Sequence, residues 1–324
     1  MKNKISHLSV ALLIILVLVG GYWLNKAKEQ TVKIEVKAEP KKQLKTKNSF
    51  FVDEATIKNN KATDYQIYPT RSFDPRLAPQ ALKKQYHKLD LNGSIRGAIV
   101  PHHLLASSLI AEVFSQLESE NINKVIVIGP NHFEKGEARV ILSDWGWRLQ
   151  GGSLVKPAVF ETRAIAQRCS FCSIEPLVVE NEHAIADLTI FINHFLPKAK
   201  LMPIIVKQGS SLDQARELGR LLGKIADQNT VIIASVDFSH YLDKQQTKGK
   251  DKQSWKAIRN GDLVKIKTFN NDNLDSPGSI IALLEAMNYL NANQVEKIRN
   301  TCSQEIMHDA MAENTSYITA VFVD

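Results

Sequence analysis

The sequence predicts an α/β fold: a sandwich with a central buried mixed sheet flanked by helices, preceded by one N-terminal transmembrane helix. Three observations predict it. Short, predominantly apolar and often β-branched runs alternate with stretches whose apolar residues recur at helical spacing, as in a sheet covered on both faces. Apolar residues make up 44% of the 324-residue chain, ample for a sizeable core. Near the start, residues 8–24 (LSVALLIILVLVGGYWL) carry no charge.

That uncharged run follows the basic start MKNK and sits at the short end of what spans a bilayer at ~1.5 Å per residue. Tyr22 and Trp23 lie at its far end, where amphipathic rings favour the lipid–water boundary. A cleaved signal peptide is the rival reading. No small-x-small site follows the apolar run, and no cysteine stands there for lipid attachment. An uncleaved signal anchor is therefore expected over residues 1–29, making the protein membrane-anchored and single-pass with an extracytoplasmic globular domain. Residues 30–61 are Lys/Glu-rich and aperiodic, a polar linker. Residues 62–324 form the expected α/β domain.

Within that domain, residues 96–100 (RGAIV) and 124–128 (KVIVI) read as buried strands, closed by Pro101 and by Gly129-Pro130. Residues 104–117 have helical spacing, residues 138–142 suit a third strand, and residues 160–168 a helix. Residues 183–195 (HAIADLTIFINHF) form an apolar helix. Strands at 200–206 and 230–235 (TVIIAS) flank a helix at 213–226, and a helix at 279–290 precedes a closing strand at 316–323.

The net charge of +7 is concentrated near the N-terminus, in Lys2, Lys4, Lys26, Lys28 and the run Lys41, Lys42, Lys45, Lys47. The remaining body mixes both signs and lacks a basic block with interleaved aromatics, so nucleic acid is not an expected partner. Three cysteines do not settle the redox compartment. Cys169 and Cys172 form C-x-x-C, readable as a redox dithiol, half a zinc site, a local disulfide or mere neighbours.

Three expected strands each run out into a turn containing histidine: AIVPHH, VIVIGPNHF and IIASVDFSHY. Their residues are His102 and His103, His132, and Asp237 with His240. Ligand sites in such sheets gather beyond the carboxyl ends of strands, and imidazole is both the commonest metal-ligating side chain and an acid or base near neutral pH. One such histidine would be unremarkable; three strand ends repeating the pattern point to a shared site. Pro101 and Pro130 restrict the backbone just before His102 and His132. His183 opens the helix HAIADL behind Glu180, Asn181 and Glu182, which supply capping or first-turn acidity. It either faces the same rim or packs locally.

These residues, in this order, resemble the Memo family, also named AmmeMemoRadiSam system protein B. The matching segments are AIVPHH, VIVIGPNHF, ENEHAI and ASVDFSHY, followed by a small-residue turn leading into SIIALLEA, and the likeness covers residues 62–323. The resemblance implies a fold similar to class III extradiol dioxygenases and a metal-type site of two histidines and a cysteine. His102 and His132 match the two histidines. Asp275, in the turn LDSPGSIIALL, occupies the cysteine position, although that residue also reads as a helix N-cap ahead of Pro277. Cys302 stands too far downstream to replace it. Two imidazoles and a carboxylate suit Fe(II), with Cu or Zn possible. His183, Asp237 and His240 match the family's other polar pocket positions and are expected to orient a ligand or move a proton. Leu104-Leu105 replace the family's usual residues after His103, making the pocket entrance more apolar.

The expected function is therefore that of a dioxygenase-like, metal-dependent redox enzyme acting on an unknown small substrate. The alternative is a non-catalytic metal- or ligand-binding protein or peptide-recognition scaffold. A metal-assisted hydrolase is less well served, since no separate nucleophile motif is present.

Overall fold

The structure, a computed structural model, describes residues 65–324, all within the unit Phe50–Asp324. Its strands are β1 (Ile67–Arg71), β2 (Ile95–Val100), β3 (Lys124–Pro130), β4 (Val140–Leu142), β5 (Gly146–Leu149), β6 (Leu154–Val155), β7 (Cys172–Ile174), β8 (Lys200–Val206), β9 (Thr230–Ser235), β10 (Gln294–Cys302) and β11 (Ser316–Val323). The helices between them are α1 (Ala78–Ala81), α2 (Ser107–Leu117), α3 (Val159–Arg168), α4 (Pro176–Val179), α5 (His183–Ala186), α6 (Thr189–Phe195), α7 (Leu212–Ile225), α8 (Lys244–Arg259), α9 (Leu263–Lys267), α10 (Pro277–Leu290) and α11 (Ser303–Met307).

Eight strands make the larger sheet, in the order β10-β11-β2-β9-β3-β8-β4-β7. Its centre, β2-β9-β3-β8, is parallel, while β10, β11 and the β8–β4 pairing are antiparallel, so the sheet is mixed. The central strands are buried on both faces. Ile99, Ile126, Ile128 and Ile232 pack on one side with Leu218 and Leu222 of α7 and Ile280 and Leu283 of α10. Val100, Val125, Val127 and Ile233 pack on the other with Ile110 and Phe114 of α2 and Phe191 of α6. This two-residue alternation between two apolar layers explains why these strands read as uninterrupted apolar runs. A three-stranded sheet, β1-β5-β6, stands apart from the main one.

Helix α7 begins with a full capping box, Ser211 with Gln214. It lies so close to α10 that a Cβ on Gly219 would fall 2.4 Å from the Ala282 carbonyl oxygen. A glycine is required there by the close approach of the helices.

Several expectations change. The apolar stretch 183–195 is two helices, α5 and α6, because Asp187 is drawn into an ion pair with Arg71 and the Thr189 hydroxyl donates to the Ala186 carbonyl. Helix α8 and strand β10 have no counterpart in the sequence reading: α8 is dominated by lysine and glutamine, and β10 is an edge strand with mostly exposed residues. The expected N-terminal transmembrane helix, and the membrane anchoring and extracytoplasmic placement that depended on it, do not stand. Among the described residues no helix is long and apolar enough to cross a membrane. The longest, α8, has 16 residues, or ~24 Å at the helical rise, against a hydrocarbon core of roughly 30 Å. The run 8–24 that prompted the expectation, and the linker 30–61, lie outside the described residues. Cys169 and Cys172 are joined as a disulfide, and Cys302 is a buried free thiol.

Candidate metal centre

Parallel pairing makes β2, β9 and β3 end on one rim, and the three histidine turns leave the sheet there. Helix α5 arrives at the same rim by packing on the end of β3. A Cβ on Gly129 would lie 2.9 Å from that of Ala184, so the glycine lets the helix carrying His183 sit this close.

His102 is 2% exposed. Its Nδ1 lies 3.3 Å from the Ser235 hydroxyl, which itself donates to the Ala184 carbonyl at 2.6 Å. With that hydroxyl proton committed, Ser235 can only accept, so Nδ1 of His102 carries the hydrogen and Nε2 presents its lone pair. Burial pulls the His102 pKa down to about 3, against the opposing charge of Asp275. The ring is neutral at physiological pH. Nε2 nevertheless faces carboxylates: Asp275 Oδ2 at 3.3 Å and Asp237 Oδ2 at 3.7 Å.

His132 is held by Glu182, a fully buried carboxylate. One oxygen accepts from His132 Nδ1 at 2.7 Å and from the Ala184 backbone at 3.1 Å; the other accepts the His132 backbone N–H at 2.9 Å. The His132 Nε2 is then 3.8 Å from Asp275 Oδ2. Burial lowers the His132 pKa, but the hydrogen bonds and charges of Asp275 and Glu182 outweigh it and raise the value to about 10. Burial likewise raises Glu182, and the bonds from His132 overcome this and hold it below the usual carboxylate range. The His183 ring stacks on His132 with centroids 4.2 Å apart and meets His102 edge-on at 5.2 Å. Burial, then the charge on His132, depress the His183 pKa.

Asp275 is not the cap of α10. Ser276 takes that place, its hydroxyl accepting from Ser279 N–H, which leaves the aspartate free. Its Oδ2 accepts the Asp237 backbone N–H at 3.2 Å, while Oδ1 is buried with no hydrogen-bond partner among the described residues. Asp237 in turn accepts the His102 backbone N–H at 3.0 Å, and burial raises its pKa.

Two overlapping groups have ligand atoms within 4.8 Å of one another: His102 with His132 and His183, and His102 with Asp237 and Asp275. Donors bound to one ion at ~2.1 Å stand roughly 3–4 Å apart; the separations of 3.3 and 3.8 Å from Asp275 Oδ2 fall in that range, while neither group unites His102, His132 and Asp275. A lone pair opposed to a carboxylate, and a buried carboxylate oxygen without a partner, are the arrangement a cation relieves. The residues therefore fit a metal ion, and the donor set does not by itself identify which.

His240 lies outside both groups but lines a cavity of about 200 Å³ together with His132 and Asp275. Cys302 lines a different cavity, beside Lys244 and Asp251. His103 turns the other way, its Nδ1 2.6 Å from the Tyr317 hydroxyl.

Residues 66–321 match the family model described as Memo-like protein. The chain belongs to the Memo family. It is 26% identical to a MEMO1 family protein of Methanopyrus kandleri over 239 residues, covering 71% of this chain and 83% of the relative. A MEMO1 family protein of Methanococcus vannielii is 28% identical over 248 residues, covering 72% and 86%. Among solved structures, an uncharacterized protein from Escherichia coli shares 10% identity with a TM-score of 0.45, covering 71% of this chain and all of that one.

Sequence reasoning about this Memo-family chain passed over two residues of the site. Glu182 read as a helix-start acid, and its position directly before His183 was the available signal. Ser235 closes the strand TVIIAS, and nothing in that run announces that its hydroxyl meets an imidazole 133 positions away.

Proposed function

We propose that this Memo-family protein is a metal-dependent oxidoreductase that holds one first-row ion, Fe(II) foremost, through His102, His132 and Asp275 and acts on a small chelating substrate. The observation that carries this reading is the convergence of His102 Nε2 and His132 Nε2 on one Asp275 carboxylate oxygen, at 3.3 and 3.8 Å. Two imidazoles and one carboxylate are the donor set of non-haem Fe(II) sites with open positions. When bound, such an ion supplies electron transfer to O₂ and polarisation of a chelating oxygen.

The chain's own residues do the rest. Ser235 and Glu182 fix the two imidazoles through Nδ1, so that Nε2 of each is the ligating atom. Asp237 holds the backbone of His102. His183, kept neutral and partly open to solvent, accepts a proton from bound substrate, and His240, on the cavity side, returns one.

Anaerobic Fe(II) loading followed by elemental analysis tests the centre: one ion per chain is expected, and Asp275→Ala should abolish it. Stoichiometric loading that survives this substitution would remove Asp275 from the ligand set. Oxygen uptake by the loaded protein against a catechol panel tests the chemistry. Full loading with no turnover on any member would favour the non-catalytic, metal-binding alternative.

A further inference from the structure

The metal centre makes no use of the Cys169–Cys172 disulfide, yet the segment that starts at this bond ends at the centre. Cys169 closes α3 at its C-terminal end, where the helix dipole opposes a thiolate, so the pair is not arranged as a thiol nucleophile. Its sequence separation of 3 closes too short a loop to add much chain-entropy stabilisation to the whole fold. The bond therefore acts locally, on what Cys172 begins.

Cys172 opens β7, the outermost strand on its side of the main sheet, half-buried throughout and paired with β4 alone. So short an edge strand has little of its own to hold it. Its far end passes directly into Glu175. The Ser173 hydroxyl donates to the Glu175 carboxylate, which accepts the Glu137 N–H at 3.2 and 3.3 Å. Glu137 belongs to the loop between β3 and β4, and this loop begins with Asn131 and His132. The loop is pressed onto the carboxylate: a Cβ on Gly136 would fall 2.6 Å from Glu175 Oε2. Further along the same segment, Glu182 grips His132 at the start of the loop. The stretch 172–182 thus clamps the loop that carries His132 at both ends.

The two grips do not depend equally on the disulfide. Between them α4 is fastened from outside by the Tyr68 hydroxyl, which donates to the Pro176 carbonyl at 2.8 Å. Loosening of β7 therefore reaches Glu175 before it reaches Glu182. Lys207 holds the middle of the loop through the Gly136 carbonyl at 2.5 Å in either state, which bounds the effect.

We propose that the Cys169–Cys172 disulfide is a redox control on metal affinity, acting through Glu175 on the loop of His132. An external dithiol supplies two electrons and two protons; the S–S bond breaks, two thiols remain on the chain, and the dithiol leaves as a disulfide. Strand β7 then loosens, Glu175 releases Glu137, and His132 is less well preorganised. The control rests on the metal reading for its consequence, but not for the motion.

The test measures Zn(II) affinity of the full chain by competition with a chromophoric chelator, and backbone hydrogen exchange of the same chain without metal. Oxidised protein is compared with protein reduced by dithiothreitol and freed of reagent anaerobically. It is also compared with Cys169→Ser/Cys172→Ser, which removes the bond without adding thiol ligands. Both open forms should bind zinc about tenfold more weakly, the low end for outer partners of a ligand. Their Glu137 amide should exchange about tenfold faster, with β3 amides unchanged as the sign of an intact fold. Glu175→Ala should show the same zinc loss while oxidised, and opening the bond should then add nothing. Equal zinc affinity in oxidised and open forms overturns the control, as does a full further loss in Glu175→Ala. Zinc bound with equal affinity and equal exchange in every form defeats the control alone. Exchange at Glu137 that depends on the bond, in a chain that takes up no zinc, defeats the metal reading and leaves the clamp standing.

Discussion

His102 and His132 leave the same sheet one strand apart, each just past a proline, yet the two ends of the rim have opposite electrostatics. Around His102 complete burial outweighs the nearby Asp275 and Asp237 carboxylates, its Nδ1 meets only a neutral hydroxyl, and the ring resists a proton down to about pH 3. Around His132 the partners are two carboxylates and partial solvent access, and the ring keeps its proton up to about pH 10. Proton affinity is thus set by what the rim packs against each ring. Asp275 is the group both rings share, and a cation between them satisfies both: it meets the lone pair of His102 and replaces the proton of His132.

The largest effect should come from removing the shared group. Asp275→Ala should lower metal affinity by at least about 100-fold, beyond the 10–100-fold typical of outer partners, as read by competition with a chromophoric chelator. Asp275→Asn with undiminished affinity would break the comparison, since two imidazoles alone would then suffice.

Next are the outer partners. Glu182→Gln should cost about 10–100-fold in metal affinity, whereas Ser235→Ala, removing a longer neutral contact, should cost only a few-fold. Equal losses would show that the charge of Glu182 is irrelevant and that the two supports are interchangeable.

The contrast also predicts a pH profile for the metal-free protein. His132 has a folded pKa above the ordinary 6.5, so its contribution to stability is complete below about 6.5 and fades as pH rises toward 10. His102 has a folded pKa below 6.5, so its contribution is complete above that value and fades as pH falls toward 3. For these two groups, Tm should peak near pH 6.5. His132→Asn should remove the alkaline slope and leave the acid one, and metal loading should become stronger with rising pH as the His132 proton is displaced.

The smallest effect tests how the rim is assembled. Gly129→Ala sets a methyl against Ala184 and should cost about 1–3 kcal/mol in thermal unfolding. Ala184→Gly in the same chain should recover most of it. If it does not, the glycine serves something other than the seating of α5.

How much of this was legible follows from where each signal resides. The strands TVIIAS and SYITAVFV were readable to the residue because burial on both faces favours apolar and β-branched residues and admits no charge, and the histidine turns were visible because they directly follow TVIIAS and the other buried central strands. Strand β10 was not, because an edge strand with its residues facing water carries no apolar signature. Asp275 looked as much like a helix cap as a ligand until Ser276 was found in the capping role. Glu182 was assigned to the start of a helix, which it does cap through Ala184, but its larger engagement is with a histidine fifty residues earlier.

The sequence alone determined the alternation of strand and helix, the family, and which histidines emerge at strand ends, because these depend on local periodicity and short motifs. Only the tertiary structure decided which nitrogen of each imidazole is free, which carboxylates face it and how strongly each ring holds a proton. Those properties arise from burial and from charges placed within 4 Å by distant segments, and local spacing carries no record of them.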